Sequence, residues 1–571
     1  MELYSYHVFL FPFQWQFVGM EMKNKTLEER TCLKKFVDLF KDTHWKQQPY
    51  KTDTILNYNE YNYFYSMVRD VLFDKGELIS DKSIISNLFY DIPSDTHTYN
   101  FKVCTDGYKK IFKSYSLHID SIILHLYSTG VGVLSFHLNN RIKEQSEPND
   151  ILNINQAGRR LYPPFFGMDN NLVGEQAQFD FNDFSYGLDI VQQKELAMEF
   201  SVISDLNFDD FQNYRNPENF KSNPFQIPRH LSFLFQGIPL TVDKTDFKSL
   251  NRKVYINPLL DDRMFVLCWY GNDKIIDDLK ANDKDHCKDV NGNLLYLESD
   301  WWYRFMFNDR SLATCQNLEM KERLIKRHTY TRWSDYGTLY GINRYSFVCL
   351  TGSLKHLKEV DSAFVFTHMQ TMYYKLCELC LVQRACLLRF SDEVAHISTM
   401  KDDKKISLSE RVGNLYKQYL RFVNRIYFRE VTAQEQGIEL YNMLQEHMQI
   451  ERNVKDLDIE IKELHTYVSL TQDQKQNRNI ELLTIIGALF ILPTFMISFV
   501  GSILLPSLKI KPTNVWEYSL FLIPLLIGPF IYYLIAPKRA KRWIWWQVLF
   551  IAGVVLIALG YMLLIQLTKN N

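Results

Sequence analysis

The N-terminus, MELYSYHVFLFPFQWQF, contains a short apolar run, rich in aromatic residues. The stretch lacks a basic leader and a small-residue cleavage site, so it reads as a buried first strand rather than a secretory signal. Further on, SLHIDSIILHLYSTGVGVLSFHLNN sets two β-branched, aromatic-rich runs on either side of Ser128-Thr129-Gly130. That is the pattern of a β-hairpin around a tight turn. Gly130 and Gly132 belong to this turn rather than to a phosphate loop, since no GxGxxG or P-loop pattern follows. A second strand-like block is KVYINPLLDDRMFVLCWYGND, with Asn272-Asp273 as its exit turn. No internal repeat of fixed period is evident.

From about residue 353 the period changes to that of long helices. SLKHLKEVDSAFVFTHMQTMYYKLCELCLVQRACLLRFSDEVAHIS has no proline and one apolar face, KDDKKIS interrupts it, and LSERVGNLYKQYLRFVNRIYF resumes it. A last helix is expected from about Gln434 onward. From Leu457 its apolar positions Leu457, Ile461, Leu464 and Val468 step by 4, 3 and 4, a narrow seam suited to parallel association of helices. Packing against the preceding helices of the same subunit explains the seam equally well.

Residues 482–508, LLTIIGALFILPTFMISFVGSILLPSL, carry no charge, and about 20 apolar residues suffice to cross a bilayer as helix. Two further apolar runs follow, giving expected spans at 482–505, 518–536 and 543–567. The intervening PKRAKRW is basic, which places that loop and the N-terminal domain in the cytoplasm and the C-terminus outside. The expected architecture is therefore an α+β cytoplasmic domain (1–350), long helices including a stalk (351–480) and an α-helical transmembrane region (481–571), multi-pass in a bacterial inner membrane. Along the first span Thr484, Gly487, Ile491, Thr494, Ser498 and Gly501 share one side. Small and hydroxyl residues there serve either close helix packing or the wall of a pore.

Composition narrows the function classes. Lys and Arg number 65 and Asp and Glu 66, so no global basic field argues for nucleic acid as a direct partner. Nine cysteines follow no framework. Only Cys377, Cys380 and Cys386 cluster, on a helical pattern where buried thiols act as small hydrophobes, and no fourth zinc ligand is near. No GxSxG, HExxH or Walker pattern occurs, and Asp261-Asp262 reads as a solvated strand end, so neither an enzyme nor a bound cofactor is expected.

Leu483-Thr484-Ile485-Ile486, Phe490, Thr494-Phe495 and Gly501 resemble the first membrane helix of the CorA divalent-cation channels. The resemblance covers roughly residues 350–536 and implies a homopentameric pore in the lipid bilayer. It puts Leu483, Ile491, Thr494 and Ser498 on pore-facing positions, with Gly487 and Gly501 on the same lining. The family's Gly-Met-Asn signature is replaced by Gly501-Ser502-Ile503, which speaks against ordinary magnesium uptake. INQAGRRLYPPFF, WWYRFMFNDRSLATCQN and YTRWSDYGTLYGINRYSFVCLT are similar to CorA-related effectors of type III CRISPR antiviral defence. That similarity implies a nucleotide second messenger as activating ligand, a conjugate of S-adenosylmethionine and AMP. Arg159 and Arg160 then supply guanidinium forks for phosphate, while Arg332, Trp333, Tyr336, Tyr340 and Arg344 mix charge and rings suited to a stacked base. Surface ion pairs for the arginines and core packing for the rings are the structural alternative. A divalent-cation channel gated by its own ion and a membrane-tethered binder without a pore are the competing functions.

Overall fold

The computed structural model describes residues 2–23, 25–74, 83–92, 98–106, 111–161, 200–201, 229–241, 243–244, 246, 248–259, 263–279, 295–310, 312–354, 361–399, 408–499 and 567. Two compact units divide the chain, Met1–His465 and Thr466–Asn571. In the first unit the strands are β1 (Ser5–Val18), β2 (Trp45–Gln47), β3 (Ile85–Tyr90), β4 (Thr98–Asp106), β5 (Ile111–Tyr127), β6 (Val131–Asn140), β7 (Phe200–Ser201), β8 (Leu240–Thr241), β9 (Lys253–Pro258), β10 (Phe265–Gly271), β11 (Thr329–Tyr330), β12 (Leu339–Ile342) and β13 (Ser346–Thr351). The helices are α1 (Leu27–Arg30), α2 (Leu33–Asp38), α3 (Ile55–Tyr63), α4 (Ser66–Leu72), α5 (Pro148–Gly158), α6 (Asp273–Leu279), α7 (Leu295–Glu298), α8 (Asp300–Phe307), α9 (Leu318–His328), α10 (Asp361–Gln370), α11 (Met372–Thr399), α12 (Leu408–Arg425) and α13 (Glu435–Met448). The last, α14 (Ile450–Phe499), continues into the second unit.

The described strands form one mixed sheet with the path β11-β12-β13-β10-β1-β6-β5-β3-β2. All 14 residues of β1 are buried, which a strand achieves only when both faces of the sheet are covered. Phe9, Phe11, Phe13, Trp15 and Phe17 point into the main core, where Trp15 meets Phe36 of α2 with ring centroids 4.4 Å apart. The alternate face carries Tyr6 against Phe366 of α10, and beside it His137 of β6 against Tyr374 of α11. Pro12 lies where the neighbour of β1 changes from β10 (Ser5–Leu10) to β9 (Phe13–Val18), a break in the ladder where a missing N–H costs least.

The expected hairpin forms between β5 and β6, with Tyr127 opposite Val131. Gly130 has φ +75°. A Cβ there would stand 1.5 Å from Nη1 of Arg389, so the turn needs glycine both for its backbone and for the guanidinium beneath it. The expected exit turn at Asn272-Asp273 is instead a helix start, in which Asn272 Oδ1 accepts from the Ile275 N–H. The helix expected to run unbroken from Gln434 is cut at Gln449, whose φ is +55°, so α13 and α14 are separate. Leu457 and Ile461 of the seam are buried by their own chain beside α12, where the Tyr419 hydroxyl donates to the Val454 carbonyl.

Among the described residues no helix is long and apolar enough to cross a membrane. This overturns the expected α-helical transmembrane region, the multi-pass placement in a cell membrane and the ion-channel assignment. Where the side chains of α14 are described, charges recur from Glu451 to Glu481, and each would be costly in hydrocarbon. The expected spans at 518–536 and 543–567 lie outside the described residues except for Leu567, as do the part of 482–505 beyond Phe499 and the 537–542 loop.

Two consequences for stability follow from this core. Gly130→Ala should lower the unfolding free energy by about 2–3 kcal/mol, read as a reduced urea midpoint; an unchanged midpoint would mean that the turn and Arg389 relax freely. Burial also holds four imidazoles well below their ordinary range, His7, His368 and His447 at about 4 and His137 at about 3. Between these values and about 6.5 the unfolded chain binds protons that the folded chain refuses. Stability is therefore complete above about pH 6.5 and falls as the pH drops toward 4, by up to about 1.4 kcal/mol per pH unit for each group. Urea titrations at pH 7.5, 6 and 5 with equal midpoints would contradict this.

Candidate functional site

The two clusters singled out in the sequence are largely engaged. Arg159 caps the end of α5 and is 3% exposed, with Nη2 donating to Gln156 Oε1 at 3.0 Å and its carbonyl accepting from Met264. Arg160 forms an isolated antiparallel bridge with Arg263. Tyr162–Pro164 lie outside the described residues. In the second cluster the Arg332 fork grips Glu439 of α13, with Nε 2.9 Å from Oε2, and also reaches Glu435 at 3.4 Å. Tyr340 is a core residue packed against Tyr330 and Tyr373. Arg344 donates to Gln449 at 3.3 Å. Trp333 and Tyr336 remain exposed, their rings 5.8 Å apart. Leu483, Gly487, Ile491, Thr494 and Ser498 lie along α14; Leu483 is exposed, and Gly501 falls outside the described residues.

A different place has the form of a binding site. α1 with the start of α2, the residues leading into β3, the Ser128-Thr129 turn and the end of α12 enclose a cavity of about 540 Å³, within the range of small-molecule sites. Among the described residues its cationic side chains are Lys25, Lys34, Lys35, Arg421 and Arg425, against two carboxylates, Glu28 and Glu29. Glu29 closes the capping box of α1 with Thr26 and pairs with Lys25 at 2.7 Å. Glu28 pairs with Lys417 at 3.1 Å and with Arg421. Partial burial opposes ionisation of Glu28, and the hydrogen bonds from Arg421 and Lys417 overcome it, holding its carboxyl below the ordinary range. Lys34, Lys35 and Arg425 make no ion pair among the described residues.

The wall behind this charge is rigid. Arg389 donates to the Thr129 carbonyl at 2.6 Å and to the Trp15 carbonyl at 3.3 Å. Thr129 Oγ1 lies 3.2 Å from Cys386 Sγ, and Arg30 of α1 forms a buried pair with Glu393 of α11 at 3.0 Å. Phe422, Leu33 and Ile426 back the wall as buried apolar side chains, and the half-buried Ile84 adds apolar surface. Gln418, only 5% exposed, interrupts the buried apolar face of α12, and its side-chain oxygen has no hydrogen-bond donor among the described residues. Such an orphan costs roughly 1–3 kcal/mol until a donor reaches it. Among the described residues no group of His, Cys, Asp and Glu could hold a metal ion.

Sequence reasoning passed over this cavity, yet two local signals were present. Lys417, Arg421 and Arg425 recur at four-residue steps, stacking like charges on one helix face, which is unfavourable without a counter-anion. Gln418 stands in an otherwise apolar stripe with Leu415, Tyr419 and Phe422. Comparison of the chain with protein-family models, curated proteins and solved structures finds no match in any of the three.

Proposed function

We propose that this chain is a receptor for a small phosphorylated ligand of nucleotide size, bound in the cationic cavity between α1, the Ser128-Thr129 turn and α12. The observation that carries this reading is the surplus of positive charge: Lys34, Lys35 and Arg425 face a 540 Å³ space without a carboxylate partner among the described residues. Phosphate oxygens supply the charge-assisted acceptors these groups lack. A hydroxyl or amino group on the same ligand would give Gln418 its donor, and the half-buried Ile84 offers an apolar surface to a sugar or base. A nucleotide combines all three features, whereas a bare metal ion or an apolar molecule has none that this cavity favours. The Arg332 cluster serves instead as a clamp between the β11–β12 segment and α13.

Binding is measured by isothermal titration of ATP, AMP and pyrophosphate into the full chain. The combined substitution Lys34→Ala, Lys35→Ala and Arg425→Ala should weaken binding by at least tenfold per lost charge-assisted contact, about 1.5–3 kcal/mol each. Exposed lysines contribute little to folding, so the thermal midpoint should stay within a few degrees. Arg160→Ala should leave affinity unchanged. If Arg160→Ala abolishes binding while the triple variant retains it, the ligand sits at the Arg159-Arg160 corner and this reading is wrong.

A further inference from the structure

The three basic residues of α12 at positions 417, 421 and 425 are not treated alike. Glu28 spans two of them, Oε2 to Lys417 at 3.1 Å and Oε1 to Arg421, and leaves Arg425 without an ion-pair partner among the described residues. Glu28 comes from a four-residue helix whose position does not depend on that contact. On one side α1 is fixed by the buried Arg30–Glu393 pair, both side chains 7% exposed. At its start it is fixed by the Thr26–Glu29 capping box. The Glu28 contacts are made by side chains alone, with about a third of the Glu28 side chain and half of the Lys417 and Arg421 side chains in solvent. A pair that open is worth little, so exchanging it costs little.

We propose that Glu28 is a built-in competitor for the cavity: its carboxylate holds Arg421, which lines the cavity, together with Lys417 beside it, and a phosphate group displaces it, so that binding moves Arg421 from Glu28 to the ligand. The proposal rests on the cavity being the phosphate site. Two consequences are physical. A monoanionic carboxylate yields to a phosphate with more charge and three acceptor oxygens. Once displaced, Glu28 faces the ligand with like charge and must rotate outward, leaving α1 held by Arg30–Glu393 but without its ion pairs to α12.

Three full-length proteins separate this from a mere effect of net charge: wild type, Glu28→Gln and Glu29→Gln, each titrated with pyrophosphate and with ATP by calorimetry. Both variants remove one negative charge from the cavity, but only the first frees Arg421. Glu28→Gln should bind about three- to tenfold more tightly, an advantage that shrinks in 0.5 M salt. Glu29→Gln should change affinity less, because Glu29 pairs with Lys25 and the α1 backbone rather than with α12. Equal gains in both variants would overturn the competitor and leave a simple field effect. Wild-type binding with no gain, or a loss, in Glu28→Gln would overturn the competitor while the cavity stands. No binding of either probe by wild type and by Glu28→Gln would overturn the cavity reading itself. The thermal midpoint of Glu28→Gln should match wild type, since the capping box and Arg30–Glu393 remain.

Discussion

The guanidinium of Arg389, enclosed beneath the β5–β6 turn, is the interaction on which the rest of this arrangement depends. It is fully buried, and burial pulls its pKa down to about 10 despite Glu393 nearby. A buried cation is tolerable only when its donors are satisfied. Nη1 of Arg389 donates to the carbonyls of both Thr129 and Trp15, which joins α11 to the hairpin turn and to β1 in one contact. Gly130 is the cost of that placement, because any side chain there would occupy the guanidinium's position. Glu393 in turn fixes Arg30 and hence α1. One cluster of three buried charges therefore determines where the turn, α1 and α11 meet, and two of those elements border the cavity.

The other end of α11 repeats the device with different chemistry. Lys375 donates to Glu378 Oε2 at 2.9 Å, while Tyr127 donates to Oε1 at 3.0 Å and His125 Nδ1 lies 2.6 Å from the same oxygen. Burial works against the Glu378 charge, and the neighbouring His125 and Lys375 more than offset it. Beside them Ser135 and Tyr374 share a 3.1 Å hydrogen bond, and Tyr6 reaches His137 at 2.6 Å. Apolar packing alone would let a long helix slide along a sheet by a turn at little loss. Two buried polar clusters roughly four turns apart allow only one register.

What the sequence disclosed depended on how local the cause was. β1 was legible because burial on both faces keeps its centre, Val8–Phe13, wholly apolar, with polar residues only toward its ends at Ser5, His7, Gln14 and Gln16, and the β5–β6 hairpin because Gly130 marks its own turn. The break at Gln449 was not legible, since the apolar period continues through it and glutamine has no preference for positive φ. Arg332 and its neighbouring rings had the composition of a ligand site, but Glu439, 107 residues away, claims the fork. The apolar run from Leu482 satisfied a hydropathy criterion, yet among the described residues no helix meets what a span requires. The cavity was hidden for a related reason: its charges come from residues 25–35 and 417–425, and neither segment alone reveals which cations lack a partner.

A folded chain rarely leaves several cations together without counter-charge, because their repulsion opposes the compact state. Here that repulsion falls on a wall that cannot yield. The turn is tied by Arg389, α1 by Glu393, and α12 by the buried Phe422 and the Tyr419–Val454 hydrogen bond. Neutralising Lys34, Lys35 or Arg425 with an acidic neighbour would relieve the strain at no structural cost visible in the fold. Helix α12 instead carries its like charges at four-residue spacing and keeps a polar amide in its apolar stripe. Both features weaken α12 as a structural element and suit it to an anionic ligand that carries a donor group. The buried charge clusters of α11 and the apolar core of the sheet hold this unit together without α12's exposed face, which leaves that face able to bear a site that destabilises it.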